Sequence, residues 1–389
     1  MTWQSIALDN PSLTVEGALD VQRVADHMKV RRLPAWTQAQ SPEPAFDLMA
    51  AMASGVRLCF TTDADTIEID VLVTGLQFAG EARRPVVFDL LVAGSLKARV
   101  EVTAGHTVVA DEAAVRFEPG GPCTVAFRGL GGDTKQVAVF LPQSAMVEVL
   151  ALRIPAEARI TSSPAAPFRW AHYGSSISHA MEATGPADTW TAIAARQAGV
   201  DFTNLGFAGQ CHLDGFVART LRDGGFDAIS MKLGANVVAG DTLRRRTFAS
   251  AVHSFIDTIR EGAEAVPLLV ISPIHCPLID DKPGPLKRVT GGGYVRLDRP
   301  GAMDDGALTL ASVRVILKDI VARRRAAGDP NLHYLDGTKL LAPTDAALMP
   351  DQLHPDADGQ AVMAERFLDA VAKMTDPGRA FFPGPTASQ

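Results

Sequence analysis

The sequence changes rhythm near residue 161, and that change divides the chain into two parts of different architecture. Up to residue 160, runs rich in β-branched and aromatic residues recur about every ten residues. They lie at 56–60, 66–73, 86–92, 97–102, 115–117, 124–127, 136–140 and 146–153. Turn signals separate them, among them Gly75, Ala93-Gly94, Ala104-Gly105 and the cluster Pro119-Gly120-Gly121-Pro122. Short strands at that spacing predict an antiparallel β-sandwich over 1–160, with only 44–54 reading as helical. Residues 161–167, Thr-Ser-Ser-Pro-Ala-Ala-Pro, read as a linker. Beyond them, strands are expected at 168–173, 201–205, 228–233, 267–272 and 333–335. Helices are expected at 188–197, 215–222, 246–261, 308–326 and 357–372. In the fourth helix Val313, Ile316, Leu317, Ile320 and Val321 fall on one face at helical spacing. This alternation predicts an α/β domain over 168–389, a parallel sheet with helices on both faces.

Composition removes several function classes. The 389 residues suit two domains, and 47% hydrophobic with 21% charged residues is an ordinary globular balance. A net charge of −7 argues against a nucleic-acid partner, because phosphate binding requires a basic face. No apolar run approaches about 18 residues, so no membrane span is expected. The opening MTWQSIALDN has neither the basic nor the apolar segment of a signal peptide, so a cytoplasmic protein is expected. Cys59, Cys123, Cys211 and Cys276 form no CxxC pair and no metal-like spacing with histidine, and are expected reduced, with no metal bound. The first domain holds no cluster of titratable residues that would make chemistry. Arg57 and Asp63 read there as solvated surface groups.

Chemistry concentrates where strands of the second part end. Phe168, Trp170 and Tyr173 favour a strand, Gly174 breaks it, and a helical segment follows. Ser176 is thus expected at a strand-to-helix turn, its hydroxyl accessible and helix N–H groups close by. Serine there is often only a cap. Asp351 and His354, three residues apart and about 175 residues downstream, supply what a serine nucleophile needs. His354 can take and return its proton, and Asp351 can orient the imidazole. Ligand sites of parallel sheets lie at the carboxyl ends of strands, where all these residues fall.

Four blocks in order resemble the SGNH, or GDSL-type, hydrolase family. They read Gly174-Ser175-Ser176-Ile177, Asn204-Leu205-Gly206-Phe207-Ala208-Gly209, Gly234-Ala235-Asn236-Val237 and Asp351-Gln352-Leu353-His354. The resemblance implies a flavodoxin-like three-layer α/β/α domain and a nucleophile at Ser176, with Asp351 and His354 as partners. It places the oxyanion donors at the Ser176 N–H, Gly209 and Asn236. Ser175 and Val237 stand where the family usually has aspartates, neither of them a member of the triad. With Cys211 and His212, these two are candidate substrate contacts. The implied reaction is cofactor-free acyl transfer through an acyl-serine, with an acyl ester or acyl-CoA as donor and water or an alcohol as acceptor. Hydrolysis is the first expectation. The layout also resembles GDSL-type acyltransferases of natural-product biosynthesis that carry a β-sandwich in front. In a third reading, a carbohydrate-binding sandwich precedes an inactive hydrolase fold. Intact Ser176, Asp351 and His354 argue against it.

Other residues read as structural. His172 and His179 are expected to pack or hydrogen-bond. His275 and Cys276 are neighbours in sequence, so their side chains point apart. Arg244, Arg245 and Arg246 read as a solvated helix start. Residues 277–301, rich in Gly and Pro, read either as a lid or substrate wall or as disorder.

Overall fold

A computed structural model describes residues 2–24, 27–41, 43–111, 114–374 and 380–383. The chain divides into two compact units: Met1–Ala165 with Thr184–Asp188, and Ala166–Ala183 with Thr189–Gln389.

The first unit is two packed sheets of eight and six strands. Ile67–Phe78 and Ala145–Pro155 form the middle of the larger sheet, and Arg57–Thr62, Lys135–Phe140 and Val86–Val92 that of the smaller. Buried and half-buried positions alternate along Ile67–Phe78, as a strand with one face on a core requires. Ile69 and Val71 from one sheet share an apolar cluster with Leu58, Phe60, Phe88 and Leu90 from the other. One pairing departs from the expected antiparallel plan: Ile67–Phe78 runs parallel to His106–Ala110. A crossover between these two strands, by way of the Val86–Val92 and Ser95–Val102 hairpin of the other sheet, produces it. Arg57 is buried and not solvated, held by Glu16 at 2.9 Å and lying over the Phe140 ring.

The second unit contains a parallel five-stranded sheet. Its spatial order is Asp201–Gly206, Arg169–Gly174, Ala228–Lys232, Leu268–Ile271, Leu332–Leu335, so in chain order the strands run 2-1-3-4-5. This is the doubly wound, flavodoxin-like order, and right-handed crossovers then put helices on both faces. Trp190–Ala198 packs with Ala357–Ala372, while Arg245–Arg260 packs with Gly215–Asp223 and Leu310–Ala326. The first strand is buried almost throughout, and Trp170 stacks on Phe367 with centroids 5.3 Å apart. Burying one such side chain stabilises the fold by about 1.5–3 kcal/mol.

Local sequence fixes the helix ends. The Thr309 hydroxyl accepts from the Ser312 N–H at 3.1 Å, and the Ser312 hydroxyl accepts from the Thr309 N–H at 2.9 Å, a capping box that starts Leu310–Ala326. Arg323, Arg324 and Arg325 occupy its last turn, where positive charge suits the helix dipole. Among the described residues no helix is long and apolar enough to cross a membrane.

Candidate active site

The first and third strands of the sheet flank its topological switch point, where such folds place ligands. The first strand ends at Gly174, and the short helix Ser176–His179 starts immediately after it. From Trp170 to Ala180 every residue is buried except Ser176. The turn is held from several sides. The Ser175 carbonyl accepts from the Ser178 and His179 N–H groups, and the Trp190 indole donates to the Ile177 carbonyl at 3.1 Å. The Asn204 amide donates to the Ser178 carbonyl at 2.8 Å. A side chain at Gly174 would overlap the Ser178 hydroxyl, so only glycine lets strand and helix approach this closely.

His354 and Asp351 approach from a loop between Pro343–Leu348 and the helix Ala357–Ala372. His354 Nε2 lies 2.8 Å from the Ser176 hydroxyl, and His354 Nδ1 lies 2.6 Å from Asp351 Oδ2. The other carboxylate oxygen accepts from the His354 and Leu353 N–H groups at 2.7 and 2.9 Å. Burial pushes the Asp351 carboxyl up, but the hydrogen bond and charge of His354, with those N–H groups, outweigh it and set the pKa to about 2. An ionised Asp351 only accepts, so Nδ1 carries the ring proton and Nε2 is left to accept from Ser176. Gln352 makes this turn with φ of 62°, and the Cys276 thiol donates to its carbonyl at 3.1 Å.

The other two blocks end neighbouring strands. Gly209 is exposed, with φ of 73° and an N–H that makes no hydrogen bond among the described residues. That φ favours glycine over any residue with a side chain. The Asn236 carbonyl oxygen Oδ1 accepts from the Cys211 N–H at 3.0 Å, which leaves the amide NH₂ as its donor end. The Ser176 N–H, first in its helix, has no intrahelical partner.

The secondary candidates separate. Ser175 is buried and its hydroxyl has no hydrogen-bond partner among the described residues; its backbone, not its side chain, caps the helix. Val237 is fully buried and Cys211 almost so, so neither presents surface to a substrate. His212 is partly exposed, bonded to the Gly209 carbonyl and the Thr242 hydroxyl, each at 3.1 Å. His172 bridges the hydroxyls of Ser230 and Ser178, each at 2.7 Å, and burial lowers its pKa to about 3. It is therefore a neutral support beneath the turn that carries Ser176. His179 accepts from the Ala208 N–H at 3.3 Å. His275 pairs with Asp280 at 3.1 Å while Cys276 turns to Gln352. All four cysteines are free thiols, and no group of three metal-ligating side chains occurs among the described residues.

Sequence reading missed two groups here. Tyr294 lies against His354, in a segment where a lone aromatic after three glycines was the only cue. Lys232, at the end of the third strand, is 1% exposed and its ammonium has no hydrogen-bond partner among the described residues. Burial lowers its pKa to about 8, with Cys211 and Cys276 opposing and Arg314 adding to the effect. A lysine whose folded pKa lies below its unfolded value destabilises the fold while charged. Its contribution therefore improves as pH rises from about 8 towards the ordinary lysine value. Lys232→Met should remove this rise and stabilise the protein at pH 7 by up to about 3 kcal/mol. Urea melts of both proteins at pH 7 and 9.5 check it, and equal pH slopes would refute it.

Strand order, a serine at the switch point and blocks at successive strand ends define an SGNH-type α/β fold. Residues 169–273 match the model of the GDSL-like Lipase/Acylhydrolase family, a span that holds the first three blocks and ends before Asp351-Gln352-Leu353-His354. Among solved structures, a salicylyl-acyltransferase from a tetracycline biosynthetic pathway is 27% identical with a TM-score of 0.81, covering 96% of this chain and 98% of its own. A GDSL-like lipase, so described, from Bacteroides ovatus shares the fold at 18% identity and TM-score 0.70, over 96% and 97%. A family two carbohydrate esterase from Clostridium thermocellum shares it at 13% identity and TM-score 0.61, over 94% and 99%. No curated protein matches the chain.

Proposed function

We propose that the protein is a serine-dependent acyl-ester hydrolase that works through an acyl-serine intermediate. The observation that carries this reading is the hydrogen-bonded line from Asp351 through His354 to the accessible hydroxyl of Ser176. A serine hydroxyl is a weak nucleophile at neutral pH and needs a base in contact. As Ser176 attacks the ester carbonyl, His354 Nε2 takes its proton, and Asp351 stabilises the imidazolium that forms. The carbonyl oxygen becomes an oxyanion, met by the Ser176 and Gly209 N–H groups and the Asn236 NH₂. Each such donor contributes about 10²–10³ in rate. Collapse breaks the bond to the alcohol oxygen, which leaves with the proton from His354. Water then enters on the same side, adds its oxygen to the acyl carbon and gives its proton to His354; the bond to the Ser176 oxygen then breaks, His354 returns that proton to Ser176, and the acid is released.

A second reading, transfer to a bound alcohol, is favoured by the full-length likeness to the salicylyl-acyltransferase. The catalytic groups serve both reactions, which differ only in which nucleophile reaches the acyl-serine. The deciding measurement is the partition of one acyl donor, ester or acyl-CoA, between free acid and acylated alcohol as acceptor concentration rises. Hydrolysis predicts that free acid dominates with every ordinary alcohol. Negligible donor consumption until one bulky acceptor is added would establish the transferase instead.

A further inference from the structure

Within the Gly- and Pro-rich segment 277–301, Leu286–Arg288 and Tyr294–Arg296 pair as a hairpin. Gly291, Gly292 and Gly293 all have positive φ, and they reverse the chain so that Tyr294 faces Arg288 across the ladder. Arg288 donates to the Tyr294 hydroxyl at 2.7 Å and lies over the ring at 5.3 Å from its centroid. The ring, thus held, sits 5.7 Å from the His354 imidazole, centroid to centroid, at an interplanar angle of 58°. Burial pushes the phenol up, so it stays neutral and offers an apolar ring rather than a charge.

The reaction assigns a meaning to that position. His354 exchanges protons with the oxygen of the alcohol, first as it leaves and again, in the reverse sense, as water or an acceptor enters. The carbonyl oxygen points away, to Gly209 and Asn236. Whatever packs on the imidazole therefore borders the alcohol half of the ester, while the acyl half lies elsewhere. We propose, resting on the acyl-serine reading, that Tyr294 forms the wall of an alcohol subsite and selects a flat, ring-bearing alcohol component. An aromatic wall favours such a group over a small aliphatic one through area and ring contact.

The test compares wild type, Tyr294→Ala and Tyr294→Phe on two ester series. One holds the acid constant as acetate and varies the alcohol from ethyl to phenyl to naphthyl. The other holds phenol constant and lengthens the acid from acetate to hexanoate. The alanine variant should lose about tenfold or more in kcat/KM preference for naphthyl over ethyl while changing the acid preference less than about twofold; phenylalanine should match wild type. An alanine variant that shifts neither preference, or both alike, overturns the proposal, as does a phenylalanine variant as impaired as alanine. Fluorophosphonate labelling of Ser176 separates the two levels. Labelled protein with unmoved preferences refutes the Tyr294 assignment alone, and wild type that takes no label at Ser176 refutes the acyl-serine reading and this inference with it.

Discussion

Ser176→Ala should abolish fluorophosphonate labelling and lower kcat by about 10⁶, the loss typical when a serine nucleophile is removed, whereas Ser175→Ala should retain both. The two serines are adjacent, and their environments explain the difference. Ser176 is accessible and 2.8 Å from His354 Nε2. Ser175 is buried, its hydroxyl makes no hydrogen bond among the described residues, and its helix-capping role belongs to its carbonyl. Removing a hydroxyl that makes no hydrogen bond breaks nothing, so stability should change by less than about 1 kcal/mol. Trapping with a slow ester and peptide mass analysis should place the adduct on Ser176. An adduct on Ser175, with Ser176→Ala still labelled, would show that the wrong serine has been assigned.

Asp351→Asn should leave the fold intact and lower kcat by about 10⁴. The two oxygens of Asp351 do different work, and an amide cannot do both. Oδ1 takes two backbone N–H groups that shape the turn, and Oδ2 takes the His354 Nδ1 proton. In asparagine the carbonyl would keep the backbone bonds and the NH₂ would face Nδ1. The imidazole would then hold its proton on Nε2, the atom that must accept from Ser176. His354→Ala should be at least as severe, because it removes the base that bonds the Ser176 hydroxyl. Circular dichroism checks the fold and single-turnover kinetics the rate; a near-wild-type rate in either variant would refute the assignment of this pair.

Periodic elements were the legible ones. Val86–Val92 and Ala357–Ala372 fall at their expected limits, and the five parallel strands lie within two residues of theirs. Trp3–Ile6, Thr14–Glu16, Asp20–Val24 and His27–Arg31 were not foreseen, nor was His106–Ala110. Asp20–Val24 shows why: it is Asp-Val-Gln-Arg-Val with no fully buried position and only Val21 against the core, so pairing with its neighbour does most to make it a strand. The hairpin beside His354 has three residues a side with Lys287, Arg288 and Arg296 among them, too short and polar to stand out. The segment 277–301, read as a lid or wall or as disorder, contains this hairpin, and a lone aromatic after three glycines was the only cue to Tyr294.

The sequence by itself determined the five parallel strands and five long helices of the second unit, and which three blocks stand at strand ends. Both are local properties, set by apolar period, turn residues and caps. Only the tertiary structure decided the order 2-1-3-4-5, which sets the strands of Ser176 and Asn236 side by side. It alone brought His354 to 2.8 Å from a hydroxyl 178 residues away, set Tyr294 on its ring and buried Lys232 with no hydrogen-bond partner among the described residues. Such contacts depend on strand register and on how the helices close over the sheet, and no local pattern of residues specifies either.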